Sequence, residues 1–208
     1  MDQLELLKKD WKKQESTLPK LSKEALTKLI YKKSSSIVKW IFIISVLELV
    51  VPQLAYLFID YEETSNFTNE IGLSNFFTTF SIIFYLVIIF FIFRFYKNYR
   101  TISANSNPKE LMQHILKTRI TVKYYIWFNL AIIPVVSSVA LYKVFNSTAF
   151  IEKIPEDTNM VFVWLIALLL IAVMVVFVWL FYMLIYGILL NKLNKNYKEL
   201  VSNGVDKL

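Results

Sequence analysis

VFVWLIALLLIAVMVVFVWLFYMLIYGILL, residues 161–190, runs for 30 residues without one charged side chain. A hydrocarbon core of ~30 Å needs roughly 20 helical residues at ~1.5 Å each, so this stretch is long enough to cross a bilayer with length to spare. Three more apolar segments lie upstream: Ile37–Ile59, Phe76–Phe93 and Tyr124–Tyr142. The runs are continuous and lack the two-residue alternation of a membrane β-barrel, which leaves helices as the structure that satisfies its own backbone in lipid. The fold class expected is therefore all-α: a polytopic membrane protein with a four-transmembrane-helix bundle. The last run exceeds the bilayer thickness and should tilt or project as one helix, unbroken around Ala172, with Trp164 at the outer interface and Trp179, Tyr182 and Tyr186 near the inner one.

Charge gives the orientation. The polar segments 1–36, 94–123 and 191–208 hold 20 of the 23 Lys and Arg residues. Segments 60–75 and 143–160 hold two, Lys143 and Lys153, against seven acids. By the positive-inside rule both termini are expected in the cytoplasm, and the net charge of +7 is a topology signal rather than a nucleic-acid footprint. A bacterial cytoplasmic membrane is the expected location, with anionic lipid as a secondary attraction for the lysines. About 36 polar residues precede the first run, an arrangement unlike a cleavable signal peptide. Cysteine is absent, which excludes disulfides and thiol chemistry. Asn66-Phe-Thr68 and Asn146-Ser-Thr148 match the glycosylation pattern, a chance match in an Asn-rich chain.

Residues 1–36 read as a cytoplasmic amphipathic helical head, followed by the bundle over 37–208. Leu4, Leu7 and Trp11 share one helical stripe ringed by lysines, and Pro19 interrupts it. A second short helix is expected from Ser22 as N-cap, with Glu24 in its first turn and a pause near Ser34–Ser36. Both helices could lie on the inner membrane face, or Leu4, Leu7 and Trp11 could dock a soluble partner. Asn107-Pro108-Lys109-Glu110 is a helix start that should lead without a break into the third span. The second span should likewise continue through Arg94, Lys97 and Arg100, interleaved with Phe95, Tyr96 and Tyr99 as an interfacial belt. Carboxylates at the outer side (Asp60, Glu62, Glu63, Glu70) precede or sit in an expected loop.

Inside the membrane Glu48 stands out. A carboxylate near the middle of a span is costly and must be protonated or paired, facing the bundle. Pro52 removes the amide that would bond the carbonyl of Glu48, so a carboxyl and a free carbonyl sit at one level. Ion or proton binding is one use of such a pair. The other is a structural hydrogen bond to Asn129, Ser137 or Ser138 on the third span, which Pro134 also interrupts. His114 is the only histidine, no metal-ligand cluster or nucleophile motif appears, and three glycines cannot form a phosphate cradle. No enzyme, metal or cofactor is expected, and oligomeric state is not readable.

Leu7-Lys-Lys-Asp-Trp-Lys-Lys13, Lys32-Lys-Ser-Ser-Ser-Ile-Val38, Asn107-Pro-Lys-Glu-Leu-Met112 and Ile115-Leu-Lys-Thr-Arg119 resemble an uncharacterised family of four-span proteins from flavobacteria and their relatives, over nearly the whole chain. Some members carry a beta-carotene monooxygenase label, yet that iron chemistry uses a set of histidines and this chain has His114 alone. The resemblance also implies an anti-sigma-like role, without the zinc-binding His/Cys pattern of many such domains. Two functions follow. In the first, the chain is a non-enzymatic regulatory or scaffold protein whose segments 1–36 and 94–123 bind a soluble partner. In the second, it is a small transporter or channel subunit using Glu48. A water-filled cavity reaching Glu48 would favour the second, and a tight dry bundle with an exposed apolar stripe at Leu4, Leu7 and Trp11 the first.

Overall fold

Each apolar run belongs to a helix that continues into polar sequence at the end rich in Lys and Arg. The computed structural model describes residues 23–56, 58, 61–104, 108–155 and 157–202; the stripe of Leu4, Leu7 and Trp11 lies outside them. We label the helices α1 (Lys23–Tyr56), α2 (Tyr61–Glu70), α3 (Ser74–Ala104), α4 (Pro108–Phe145), α5 (Thr148–Ile151), α6 (Met160–Tyr182) and α7 (Ile188–Ser202). A π-helical turn, Met183–Gly187, joins α6 to α7 without a break, so Met160–Ser202 is one rod. Among the described residues there is no strand. Four helices are long and apolar enough to cross a membrane. At ~1.5 Å per residue they measure roughly 45–65 Å, against ~30 Å of hydrocarbon.

Helix limits follow local chemistry. Glu110 lies in the first turn of α4, where the dipole favours an anion. Asn159 caps α6 by accepting from the amides of Val161 and Phe162 at 3.0 and 3.4 Å. Asn146 and Ser147 act as helix-end groups: Asn146 Nδ2 donates to the Tyr142 carbonyl, and Ser147 Oγ accepts from the Phe150 amide. Gly72, at φ +66°, closes α2 as the amides of Gly72 and Leu73 reach the carbonyls of Asn69 and Thr68. Pro52 and Pro134 both lie within continuous helices.

The four rods run up and down. α1 packs along α3 and α7, and α4 packs along α3, α6 and α7. Basic side chains gather where α1 begins, α3 ends, α4 begins and α7 ends, and there the helices carry a dense core. Ile30, Ile102, Leu111, Ile115, Leu193 and Leu200 are shut off from the surface. Buried Asn196 donates to buried Ser34 at 3.0 Å, tying α7 to α1. Buried Thr118 and Thr121 return their hydroxyls to the carbonyls of His114 and Lys117.

Three expectations are corrected here. The pause at Ser34–Ser36 is absent, because Ser34 is a contact position inside α1, which packs on α7. Phe95, read as part of an interfacial belt, is fully buried. The expected loop after the first run contains α2.

At the opposite end packing is thin. Among the described side chains, none in 74–87, 131–154 or 160–181 is buried. Ile71 and Leu73 seal the α2–α3 corner, and Phe145 stacks on Phe150 and meets Trp164 edge-on at 4.7 Å. Ile83, Leu86, Leu169 and Phe177 stay exposed.

Candidate functional site

Glu48 lies where the dense core stops. It is carried by α1 one turn beyond buried Ser45, whose hydroxyl returns to the Phe42 carbonyl. The Tyr125 hydroxyl of α4 donates to Glu48 Oε2. The Tyr186 hydroxyl lies beside the same carboxyl, outside direct hydrogen-bond geometry. Glu48 Oε1 and the Tyr186 oxygen are both buried with no hydrogen-bond partner.

Three tyrosines surround the acid. The ring of Tyr125 meets Tyr182 edge-on at 6.2 Å and Tyr186 at 5.9 Å, and Tyr182 and Tyr186 lie 5.8 Å apart. Phe91 and Phe95 of α3 close the other side of Tyr125 at 5.4 and 5.5 Å. Tyr182 and Tyr186 are spaced four apart and share a helix face. The π turn begins immediately after Tyr182 and ends just past Tyr186. Gly187 there has ordinary backbone, and an added Cβ would meet only Met183 Cγ at 3.7 Å, so the turn is not forced by crowding at that glycine.

Above this aromatic floor a cavity of about 330 Å³ opens between α1, α3 and α4. Glu48, Leu49, Pro52 and Gln53 line it from α1, Phe77, Phe80, Ser81, Phe84, Tyr85 and Ile88 from α3, and Tyr125, Asn129 and Val136 from α4, with Tyr182 below. Gln53 Nε2 donates to the Tyr85 hydroxyl, which bridges α1 and α3 at the cavity wall. No Lys, Arg or His lines it.

The residues singled out from sequence thus divide. Glu48, Pro52 and Asn129 come together on the cavity. Asn129 does not bond Glu48, since its amide donates to the Tyr125 carbonyl of its own helix at 2.9 Å. Ser137 is half-buried and Ser138 exposed, and neither lines the cavity. The acid's partner is Tyr125, which sequence reading missed because it follows Tyr124 at the start of the third apolar run in the manner of an interfacial tyrosine. The available signal was the tyrosines themselves, polar hydroxyls inside apolar runs that must find acceptors when buried. His114 is half-buried on α4, away from the cavity. Among the described residues no cluster of three His, Cys, Asp or Glu could hold a metal ion.

The model of a domain of unknown function, DUF8845, matches residues 24–204, which include all four long helices. The chain belongs to the DUF8845 family. No curated protein and no solved structure shows significant similarity to it. The matched segment contains every residue that lines the cavity and the three tyrosines around Glu48.

Proposed function

We propose that this chain is a non-enzymatic integral protein of a bacterial cytoplasmic membrane, both termini inside, acting as a small transporter or channel subunit with Glu48 as its ion or proton site. The observation that carries this reading is the cavity of about 330 Å³ between α1, α3 and α4, with Glu48 as the one acid among its lining residues. A desolvated carboxylate needs a proton or a cation, and an open cavity supplies a route for either. Exposed apolar faces on α3 and α6 exceed what a water-soluble surface carries, which supports insertion in lipid. Access is expected from the acidic-loop side, where none of the described side chains in 74–87, 131–154 or 160–181 is buried.

Reconstitution into vesicles with an entrapped pH dye and an imposed gradient tests it. Proton or sodium flux above empty vesicles is expected, abolished in Glu48→Gln while insertion persists. Equal flux in Glu48→Gln and native protein overturns it. Reporters fused after Leu208 and within residues 101–107 should read cytoplasm, and those within 64–70 and 147–157 the outside.

A regulatory or scaffold role remains the second reading. It is favoured by the exposed lysines of α1, α4 and α7, including Lys28, Lys32, Lys117, Lys192 and Lys195, set on a rigid packed end. Such a surface suits an acidic soluble partner as well as anionic headgroups.

A further inference from the structure

We propose that the cavity holds a file of water molecules and that the ion it delivers to Glu48 is the proton, handed on through the Tyr125 hydroxyl. This rests on the transport reading above and names the transported species.

Unspent hydrogen-bonding capacity in the lining carries it. Ser45, Thr118 and Thr121 return their hydroxyls to carbonyls of their own helix. Among the described residues Ser81 makes no such bond, and the Tyr85 hydroxyl accepts from Gln53 but donates to none. Asn129 is only 8 % exposed, and with its amide given to the Tyr125 carbonyl its Oδ1 has no donor among them. Ser81, Gln53, Tyr85 and Asn129 all line the cavity. Polar groups without protein partners are satisfied by water, which needs a polar site and ~30 Å³ per molecule in the liquid. The cavity of about 330 Å³ has room for several.

The groups are also spaced for a file. Ser81 and Tyr85 lie four residues apart on α3, and Tyr125 and Asn129 four apart on α4. That is ~6 Å along a helix, the reach of one water making two hydrogen bonds of ~2.8 Å. Glu48 Oε1 is buried beside the Tyr186 hydroxyl, and Oε2 is engaged by Tyr125, which itself lines the cavity. Tyr125 is thus the entry to the acid. Water donates to the Tyr125 oxygen as Tyr125 passes its own proton to Oε2, so the phenol stays neutral and the carboxylate becomes the acid. The reverse exchange empties the site. A hard metal cation fits this arrangement poorly, because it takes about six or more oxygens around one point. Here the neutral oxygens are spread over successive turns, one Glu48 oxygen is buried and the other is engaged.

The test uses the full chain in vesicles, with proton and sodium uptake measured separately. Proton flux is expected without sodium flux. Tyr125→Phe keeps the ring and should slow it by roughly a hundredfold, the lower end of what a positioned proton donor contributes. Ser81→Ala should slow it about two- to tenfold, the worth of one ordinary hydrogen bond, and keeps the proposal testable where Tyr125→Phe fails to fold. Infrared spectra of the same vesicles on transfer to heavy water give a second readout. The carboxyl band that Glu48→Gln removes should shift promptly in the native chain and much later in Tyr125→Phe. Glu48-dependent sodium flux without proton flux overturns the inference and leaves the transport reading standing, as do proton flux and deuterium exchange unchanged in the variants. A Glu48 carboxyl band absent at every pH also overturns it. No flux of either ion, with prompt exchange that depends on Tyr125, sinks the transport reading alone.

Discussion

The two ends of the bundle are built on different principles from the same four helices. At the basic end, small and branched apolar residues interlock on every helix, and a buried contact joins Asn196 to Ser34, while Asn98 Nδ2 is buried there without a hydrogen-bond partner. Beyond Glu48 the same rods touch through rings and corners, leaving a cavity on one side and apolar faces exposed on the other. The difference teaches where stability resides. A packed end anchors the helices, so the other end can keep open space and an incompletely paired acid without coming apart.

That contrast can be broken by mutation. The largest effect is expected for Phe95→Ala, which opens a hole in a fully buried site and should cost ~3–5 kcal/mol, read from unfolding in detergent. Asn196→Ala should cost about 1–3 kcal/mol, since it strands the buried Ser34 hydroxyl. A double-mutant cycle with Ser34→Ala should recover part of that loss. Gly72→Ala should cost ~1–2 kcal/mol by forcing a side chain into the left-handed turn that closes α2, the thin end's main backbone fastening. Tyr125→Phe should cost ~0.6–2 kcal/mol by removing the donor to Glu48 across the boundary. Ile83→Ala, on an exposed face of α3, should change stability by less than about 0.5 kcal/mol. A loss at Ile83 as large as at Phe95 would erase the distinction between the ends.

Much of this was readable beforehand, for physical reasons. Apolar runs and the asymmetry of Lys and Arg marked four long helices, and Asn107-Pro108 marked where α4 starts. Pairing was harder. Ser34–Ser36 looks like a weak point of a helix when read locally, and only α7, more than 150 residues away in sequence, makes Ser34 a buried contact. Tyr182 and Tyr186 carry the composition of an interfacial belt, and their burial comes from packing against Tyr125 of another helix, which no local pattern specifies. Glu48 announced itself through cost alone. Its partner Tyr125 did not, because nothing in the local pattern says which hydroxyl a rod will present to a neighbour.

The absence of cysteine makes the central claim directly measurable. Single cysteines at Ser81, on the cavity, and at Thr118, in the dense core, can be exposed to a membrane-impermeant thiol reagent in intact cells and again in opened membranes. The account predicts rapid labelling of Ser81→Cys from outside and protection of Thr118→Cys under both conditions. Equal protection at the two positions, or labelling of Ser81→Cys only after the membranes are opened, would contradict an outward cavity that ends at Glu48.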